Sequence, residues 1–92
     1  MKYLLKVVAV LPKRDFPAKN GEKIEVVPLH LMQGRDQFVA DAVGADARSL
    51  PDNLGGGDYV WCELSFSVRE WDGKDGQKMY GQSVNISKVE RL

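Results

Sequence analysis

An alternation of apolar and polar residues runs through Tyr59–Trp71 and constrains the fold more than any other feature of the sequence. One set of alternate positions is apolar and comprises Val60, Cys62, Leu64, Phe66 and Val68. The intervening set comprises Trp61, Glu63, Ser65, Ser67, Arg69 and Trp71. A period of two residues is typical of a β-strand that buries one face. The segment is therefore predicted to be a strand whose first set faces a core.

Four further strands are predicted from apolar runs between turn residues: Tyr3–Leu11, Ile24–Met32, Gln37–Val43 and Lys78–Val89. The segment Pro12–Lys23 holds two prolines and an Asn-Gly pair, which predict a loop or the tip of a long hairpin. The apolar parity slips between Val26 and Val27, just before Pro28. This slip predicts a bulge or a bend in the second strand.

The sequence predicts at most one short helical turn, within Ala45–Leu54, because Pro51 interrupts that segment and three glycines follow it. Five strands with this insert between the third and the fourth predict an all-β fold. The strand order fits a five-stranded Greek-key barrel of the oligonucleotide/oligosaccharide-binding type, the OB-fold. An SH3-like barrel is the alternative, although its strands are usually shorter and it usually lacks an insert after the third strand.

Ninety-two residues are enough for a single domain, residues 1–92, with one modest core. Thirteen basic and thirteen acidic residues cancel, so the net charge gives no argument for nucleic acid. Their distribution is uneven, since residues 1–35 carry seven basic and three acidic side chains, whereas residues 36–58 carry one and five. The first segment is therefore net +4 and the second net −4. A domain polarised in this way can present a basic groove.

Cysteine and histidine occur once each, as Cys62 and His30, which excludes a disulfide framework and a Cys/His metal centre. We expect Cys62 to be a small buried hydrophobe and His30 to lie on the surface. Lys6 interrupts the N-terminal apolar run, no cleavage site follows, and no segment approaches the ~20 apolar residues of a membrane span. No phosphate loop or nucleophile elbow is present. The sequence predicts a cytoplasmic protein that is not an enzyme. It is expected to use no cofactor, to bind no small-molecule substrate and not to associate with a membrane.

Two tryptophans and an arginine, Trp61, Trp71 and Arg69, lie on the solvent-facing set of the fourth predicted strand, where exposed tryptophans need a reason. Binding of single-stranded nucleic acid requires a basic groove and aromatic faces on which bases stack. In an OB-fold the first loop and the last hairpin flank one groove. The further binding candidates on these two segments are Lys13, Arg14, Phe16, Lys19, Lys23, Lys74 and Lys78.

Several aromatic residues have an alternative interpretation as packing residues. Trp61 could cover the end of the barrel, pack under the first loop or lie in a dimer interface, where tryptophan is enriched. Phe16 could simply anchor the first loop. Phe38 shares the parity of Ala40 and Ala42, which favours core packing over stacking. Tyr80 shares the parity of Val84 and Ile86 and is expected in the core.

The chain from Leu54 onward resembles bacterial single-stranded DNA-binding proteins. The matching features are the glycine-rich turn Leu54–Asp58, the Arg69-x-Trp71 pair, the turn Asp75-Gly76-Gln77 with Tyr80 after it, and the closing segment Val84–Val89. The first half lacks the family's Trp-His pair, and Gln37-Phe38-Val39 stands in its place. The chain ends at Arg91-Leu92 without the family's acidic tail, so the resemblance implies a short or divergent member.

The expected function is sequence-independent binding of single-stranded DNA, with RNA as a possible second ligand, by aromatic stacking and phosphate neutralisation. The resemblance implies a role in DNA replication, recombination or the maintenance of a mobile element, and a homo-oligomer. Small barrels often recover stability by association, which also favours a dimer or a larger oligomer. The alternative is a protein-interaction module of a replication or conjugation complex, which would use the tryptophan face for docking.

Overall fold

The computed structural model describes residues 2–92 and is dominated by β-strands. The elements in chain order are β1 (Lys2–Val10), β2 (Arg14–Pro17), β3 (Lys23–Gln33), β4 (Asp36–Val43), α1 (Ala45–Arg48), β5 (Tyr59–Asp72) and β6 (Lys78–Arg91). The prediction of an all-β fold with a single short helical turn before the glycine-rich loop is confirmed. Each predicted strand lies within three residues of its observed bounds, because period-two patterning and turn residues are local signals.

Hydrogen bonding closes five of the six strands into a ring. The sheet order is β1-β5-β6-β4-β3-β2, and β1 also pairs with β3, which joins the two ends of the order and leaves β2 outside the ring. Every pairing is antiparallel except that of β4 with β6, which is parallel and is formed at Asp41 and Asn85. Closure protects most strand edges from pairing with other chains.

The first loop contains a short strand that the sequence did not predict, so the described chain has six strands and not five. β2 pairs with the first half of β3, and Phe16 lies opposite Ile24. The pairing of β3 with β4 contains no bulge near Val26, since its register is unbroken from Val26 to Gln33. The register shift lies instead in β1, between Val7 and Ala9. The parity slip lies where the neighbour of β3 changes, since β2 pairs with its residues 23–26 and β1 with its residues 29–32.

The interior of the ring is a small aliphatic core. Its side chains come from β1, β3, β4, β5, β6 and α1 and comprise Leu5, Val7, Leu29, Leu31, Ala40, Ala42, Ala47, Val60, Cys62 and Ile86. The two alanines of β4 leave room for the larger side chains opposite them, as a narrow barrel requires. Phe38 is half-buried and packs against this core, as its parity predicts. The free thiol of Cys62 is buried there, which confirms the expectation for this residue.

The β5–β6 hairpin is longer than the barrel. β1 pairs with β5 between Tyr59 and Glu63, so the remainder of β5 pairs with β6 alone. Three residues predicted to face a core therefore lie outside it, because no other strand reaches them: Phe66 is 56% exposed, Val68 65% and Tyr80 65%. The prediction of a core position for Tyr80 is wrong for this reason.

Candidate nucleic-acid interface

The strand register defines one continuous outer face of the sheet, on the side away from the core. Residues paired across neighbouring strands share a face, so the outward positions follow from the pairs. Pro28, Asp41, Asn85 and Ser65 are successive partners across β3, β4, β6 and β5, and each alternates with core residues of its own strand. Pro28 is buried, Asp41 and Asn85 are half-buried and Ser65 is exposed, so this face is only partly open to solvent. The same set includes Arg14, Phe16 and Ile24 at one end and Arg69, Trp71, Met79 and Gly81 at the other.

At the β5–β6 end of the outer face, an arginine and a tryptophan form a cation–π pair. The guanidinium carbon of Arg69 lies 5.9 Å from the centroid of the Trp71 ring. Gly81 lies opposite Arg69, and a Cβ atom built there would be 3.0 Å from Cζ3 of Trp71. The absence of a side chain at Gly81 therefore lets the indole lie against the backbone of β6. Trp71 remains 46% exposed, so part of its ring is available for contact with a base.

At the β2–β3 end, Arg14 and Phe16 repeat this arrangement. The guanidinium carbon of Arg14 lies 5.6 Å from the centroid of the Phe16 ring. The two residues are two positions apart on β2, so their side chains emerge on the same face, beside their partners Val26 and Ile24 on β3. Phe16 is 46% exposed. A strand, and not a free loop, thus holds this aromatic residue in place.

The two pairs flank β4 from opposite ends. The turn between β2 and β3 lies beyond the Val43 end of β4, because Val26 pairs with Val43 and β3 runs back from there to Lys23. β6 runs parallel to β4 and reaches it at Asn85, so the tip of the β5–β6 hairpin lies toward the Asp36 end. A chain crossing the outer face of β4 could therefore contact an Arg–aromatic pair on each side.

The outer surface between the two pairs is mixed in character. Val39 and Val43 are exposed on β4. His30 is half-buried beside them and its Nε2 atom lies 2.7 Å from Oε1 of Gln37. Asp41 is half-buried in the middle of this surface, where its carboxylate opposes the approach of a phosphate. Bases, and not phosphates, suit this central stretch.

Trp61 lies away from the Arg69–Trp71 pair. It occupies the same face of β5, but Trp61 and Trp71 are ten residues apart, which corresponds to about 33 Å along a strand. Its neighbours are Leu4 on β1 and Glu90 on β6. The ring is 41% exposed beside a shallow groove lined by Leu4, Lys6, Met32, Gln33, Gly34 and Tyr59. It neither covers the barrel end completely nor joins the other aromatic candidates.

The basic candidates divide into paired and unpaired side chains. Nζ of Lys13 lies 3.3 Å from a carboxylate oxygen of Glu25, and Nζ of Lys78 lies 2.7 Å from one of Glu70. Lys78 also points to the face opposite Trp71, since it pairs with Asp72. Lys19, Lys23 and Lys74 are exposed near the two hairpin tips and form no salt bridge within residues 2–92. Arg14 and Arg69 form no salt bridge there either, so among the candidates these two arginines and three lysines are free to contact phosphates.

Three residues beside the candidate site residues were not predicted from the sequence. Met79 pairs with Trp71 and is exposed beside it, Gly81 lies against the indole ring, and Ile24 pairs with Phe16. A two-residue turn at Asp75-Gly76 would have paired Trp71 with Tyr80, whereas the observed three-residue loop 74–76 pairs Trp71 with Met79. The turn motif alone therefore did not identify Met79. No local signal indicates Ile24, since the prolines around its partner strand β2 predict a loop.

The remaining chemistry of the described residues is limited. Burial raises the pKa of the Cys62 thiol to about 11, so the thiol stays protonated and a poor nucleophile near neutral pH. Residues 2–92 contain no group of three or more His, Cys, Asp or Glu side chains that could hold a metal ion. In the same part of the chain, no helix is long and apolar enough to cross a membrane.

Comparison of the sequence with models of known protein families and with curated proteins finds no match. An assignment of function therefore depends on the arrangement of residues described above.

Proposed function

We propose that this chain is an OB-fold protein that binds single-stranded DNA across its outer face. The ring order supports the fold: β1, β3, β4, β5 and β6 correspond to the five barrel strands, with β2 as an elaboration of the first loop and α1 between the third and fourth. In such barrels the ligand lies across the second and third strands, here β3 and β4.

The observation that carries the proposal is the pair of exposed Arg–aromatic contacts on one face. A base stacked on an aromatic ring contributes about 1–3 kcal/mol, and stacking tolerates any sequence because every base has a π-face. The neighbouring guanidinium can contact a phosphate while it remains stacked on the ring. Trp71 and Phe16 would each hold a base, and Arg69 and Arg14 would hold the backbone beside it.

The acidic residues of the hairpin make the proposed binding weak and dependent on salt. Asp72 and Asp75 lie near Lys74 at the tip, and Glu70 pairs with Lys78. Few lysines are thus available for counterion release, whose contribution scales with the number of phosphates neutralised. Most of the proposed affinity comes from stacking, and nothing in this chemistry distinguishes DNA from RNA.

The proposed role is non-catalytic and cytoplasmic, in DNA replication, recombination or mobile-element maintenance. The resemblance of the segment from Leu54 onward supports this role. Self-association belongs to the same proposal, and a surface for it is described below.

Titration with oligo-dT, followed by tryptophan fluorescence, tests the proposal. We expect quenching by the single strand and little by a duplex of equal length, because paired bases cannot stack on Trp71. Trp71→Phe should lose most of the quenching, while Trp61→Phe should keep it, since Trp61 lies far along β5. Absence of quenching in the wild type, together with no binding by anisotropy of labelled oligo-dT, would refute single-strand binding.

The second candidate function is a protein-interaction module. The exposed apolar residues on the other side of the β5–β6 hairpin favour it, since exposed patches of this kind mark interaction sites. A chain that binds no oligo-dT but associates through that hairpin would support this function in place of the first.

A further inference from the structure

The inner side of the projecting β5–β6 hairpin is an apolar surface without a partner in the described chain. We call it the hairpin inner face and define it by the exposed residues Phe66, Val68 and Tyr80; it is bordered by half-buried Val84, which packs against the core. These residues continue the alternation that buries Val60 and Cys62 in the barrel. Phe66 and Val84 are directly paired, and Val68 and Tyr80 follow toward the tip. The alternation typical of a buried face therefore continues into the part of the hairpin that no other strand covers.

Charge argues against nucleic acid as the occupant of the hairpin inner face. The charged side chains that share its side of the ribbon lie toward the tip and are Glu70, Asp72 and Lys78. Lys78 is neutralised by Glu70 at 2.7 Å, which leaves one negative charge from Asp72. A phosphate backbone would meet no free cation here, whereas Arg69 and Trp71 lie on the opposite side of the same ribbon.

We propose that the hairpin inner face is a homodimer interface that packs against the same face of a second copy of this chain. Interfaces between identical chains are more apolar than other protein surfaces, and a twofold axis needs only a self-complementary patch. The two ribbons run in opposite directions, so each barrel lies beyond the tip of its partner's hairpin and the two barrels avoid each other. The outer faces then point away from the dimer.

The area available sets the strength of this dimer. Phe66, Val68 and Tyr80 are each more than half exposed, and together offer roughly 350 Å² of apolar side-chain surface per copy. Two copies would bury about 700 Å² of this surface, which with flanking residues remains at the low end for specific complexes. The dimer is therefore expected to be reversible, with a dissociation constant in the micromolar range or weaker.

Sedimentation velocity over a wide range of protein concentration tests the interface with a matched pair of variants. Val68→Lys places a charge on the hairpin inner face, and Ser67→Lys places the same charge one residue away on the outer face. Because both positions are exposed outside the core, neither variant should unfold the barrel. We expect the wild type and Ser67→Lys to dimerise, and Val68→Lys to raise the dissociation constant at least about tenfold.

Two further measurements keep this proposal separate from DNA binding. Tyr80→Lys should weaken the dimer as Val68→Lys does, and thermal unfolding of each variant verifies its fold. Val68→Lys should still be quenched by oligo-dT, since its Arg69–Trp71 pair is intact. A wild type that remains a monomer at all concentrations overturns the interface, as do variants at positions 67 and 68 that associate equally. A specific loss of oligo-dT binding in Val68→Lys would show nucleic acid on this face and also overturn it.

Discussion

Trp71 illustrates how one exposed aromatic side chain acquires a defined position. The glycine at position 81 leaves space for the indole on β6, and Arg69 covers the indole at 5.9 Å. A ring held in this way loses less conformational freedom when a base stacks on it than a freely rotating ring would. The proposed contribution of Trp71 therefore depends on two neighbours as well as on the tryptophan itself.

Trp71→Ala and Lys74→Ala should weaken oligo-dT binding in different ways. Removal of the indole should cost about 1–3 kcal/mol and leave the salt dependence unchanged, because no phosphate contact is lost. Lys74→Ala should cost less but lower the slope of log K against log salt by about 0.7, because one phosphate contact disappears. Affinities measured at several salt concentrations check both, with Lys2→Ala on the far side of the ring as the control. Unchanged affinity in Trp71→Ala would assign the ring to packing.

Gly81→Ala should displace the indole of Trp71 without unfolding the protein. The new methyl group would lie 3.0 Å from Cζ3 and 3.1 Å from Cη2, and the ring is the part free to move. We expect oligo-dT affinity to fall by about tenfold, equivalent to part of one stacking contact. Gly55→Ala is the control, since a methyl group there meets no atom within 4 Å. Equal affinities in the two variants would show that the position of the indole is unimportant for binding.

At the scale of elements, β5 is one continuous strand whose first part belongs to the barrel and whose second part belongs to the projecting hairpin. Its first five residues pair with β1 and contribute Val60 and Cys62 to the core, and its remaining residues form a ribbon with β6. The ribbon has two distinct sides, one with the Arg69–Trp71 pair and one with Phe66 and Val68. A single period-two pattern therefore supplies a core, a candidate ligand surface and a candidate protein interface.

The loop before β5 should be sensitive to a single methyl group at Gly56. This loop is held against β1 by hydrogen bonds from the Gly57 amide to the Val7 carbonyl and from the Val7 amide to the Asp58 carbonyl. A Cβ at position 56 would lie 2.7 Å from the Val8 carbonyl oxygen, which is backbone and cannot rotate away. Gly56→Ala should therefore lower the free energy of unfolding by about 1–3 kcal/mol. Urea denaturation measures this, and Gly55→Ala should stay within about 0.5 kcal/mol of the wild type.

At the scale of the whole molecule, the projecting part of the β5–β6 hairpin contributes no side chain to the core inside the ring. All of the core side chains belong to α1 or to parts of the strands inside the ring, and none lies between positions 67 and 83. The projecting ribbon contributes to the long dimension of the molecule, whose principal extents are 46, 34 and 23 Å. The barrel thus acts as the folded support for a hairpin that holds most of the proposed contacts.

Replacement of residues 67–83 by an Asn-Gly turn should leave a folded barrel. The shortened chain keeps every core residue and the pairing of β5 with β1, so we expect a cooperative thermal transition and a β-type circular dichroism spectrum. It should lose oligo-dT quenching with Trp71 and self-association with Val68 and Tyr80. A shortened chain that is unfolded would show that the ribbon is part of the folding unit.

Strand positions and faces could be predicted from the sequence because their signals are local. The alternation assigned residues 60–69 and Trp71 of β5 to the correct side, and the Asp75-Gly76 turn located the end of the hairpin. The outward placement of Arg69 and Trp71 followed from the same pattern. Alternation identifies the side of a strand on which a residue lies, but does not show whether another strand covers that side.

Tertiary pairing decided where the core ends and which candidate residues come together. Tyr80 has the parity of a core residue but is exposed, because β4 meets β6 at Asn85 and leaves the start of β6 uncovered. Phe16 acquired a strand and a cation–π partner because β2 adds to β3, a pairing that its prolines and charges do not indicate. Trp61 and Trp71 share one side of β5, as the alternation predicts, but they lie too far apart along the strand to form one site. The exposure of Tyr80 and the pairing of Phe16 both depend on which strands pair in the closed ring. Those pairs join residues far apart in sequence, so the local alternation of apolar and polar residues does not encode them.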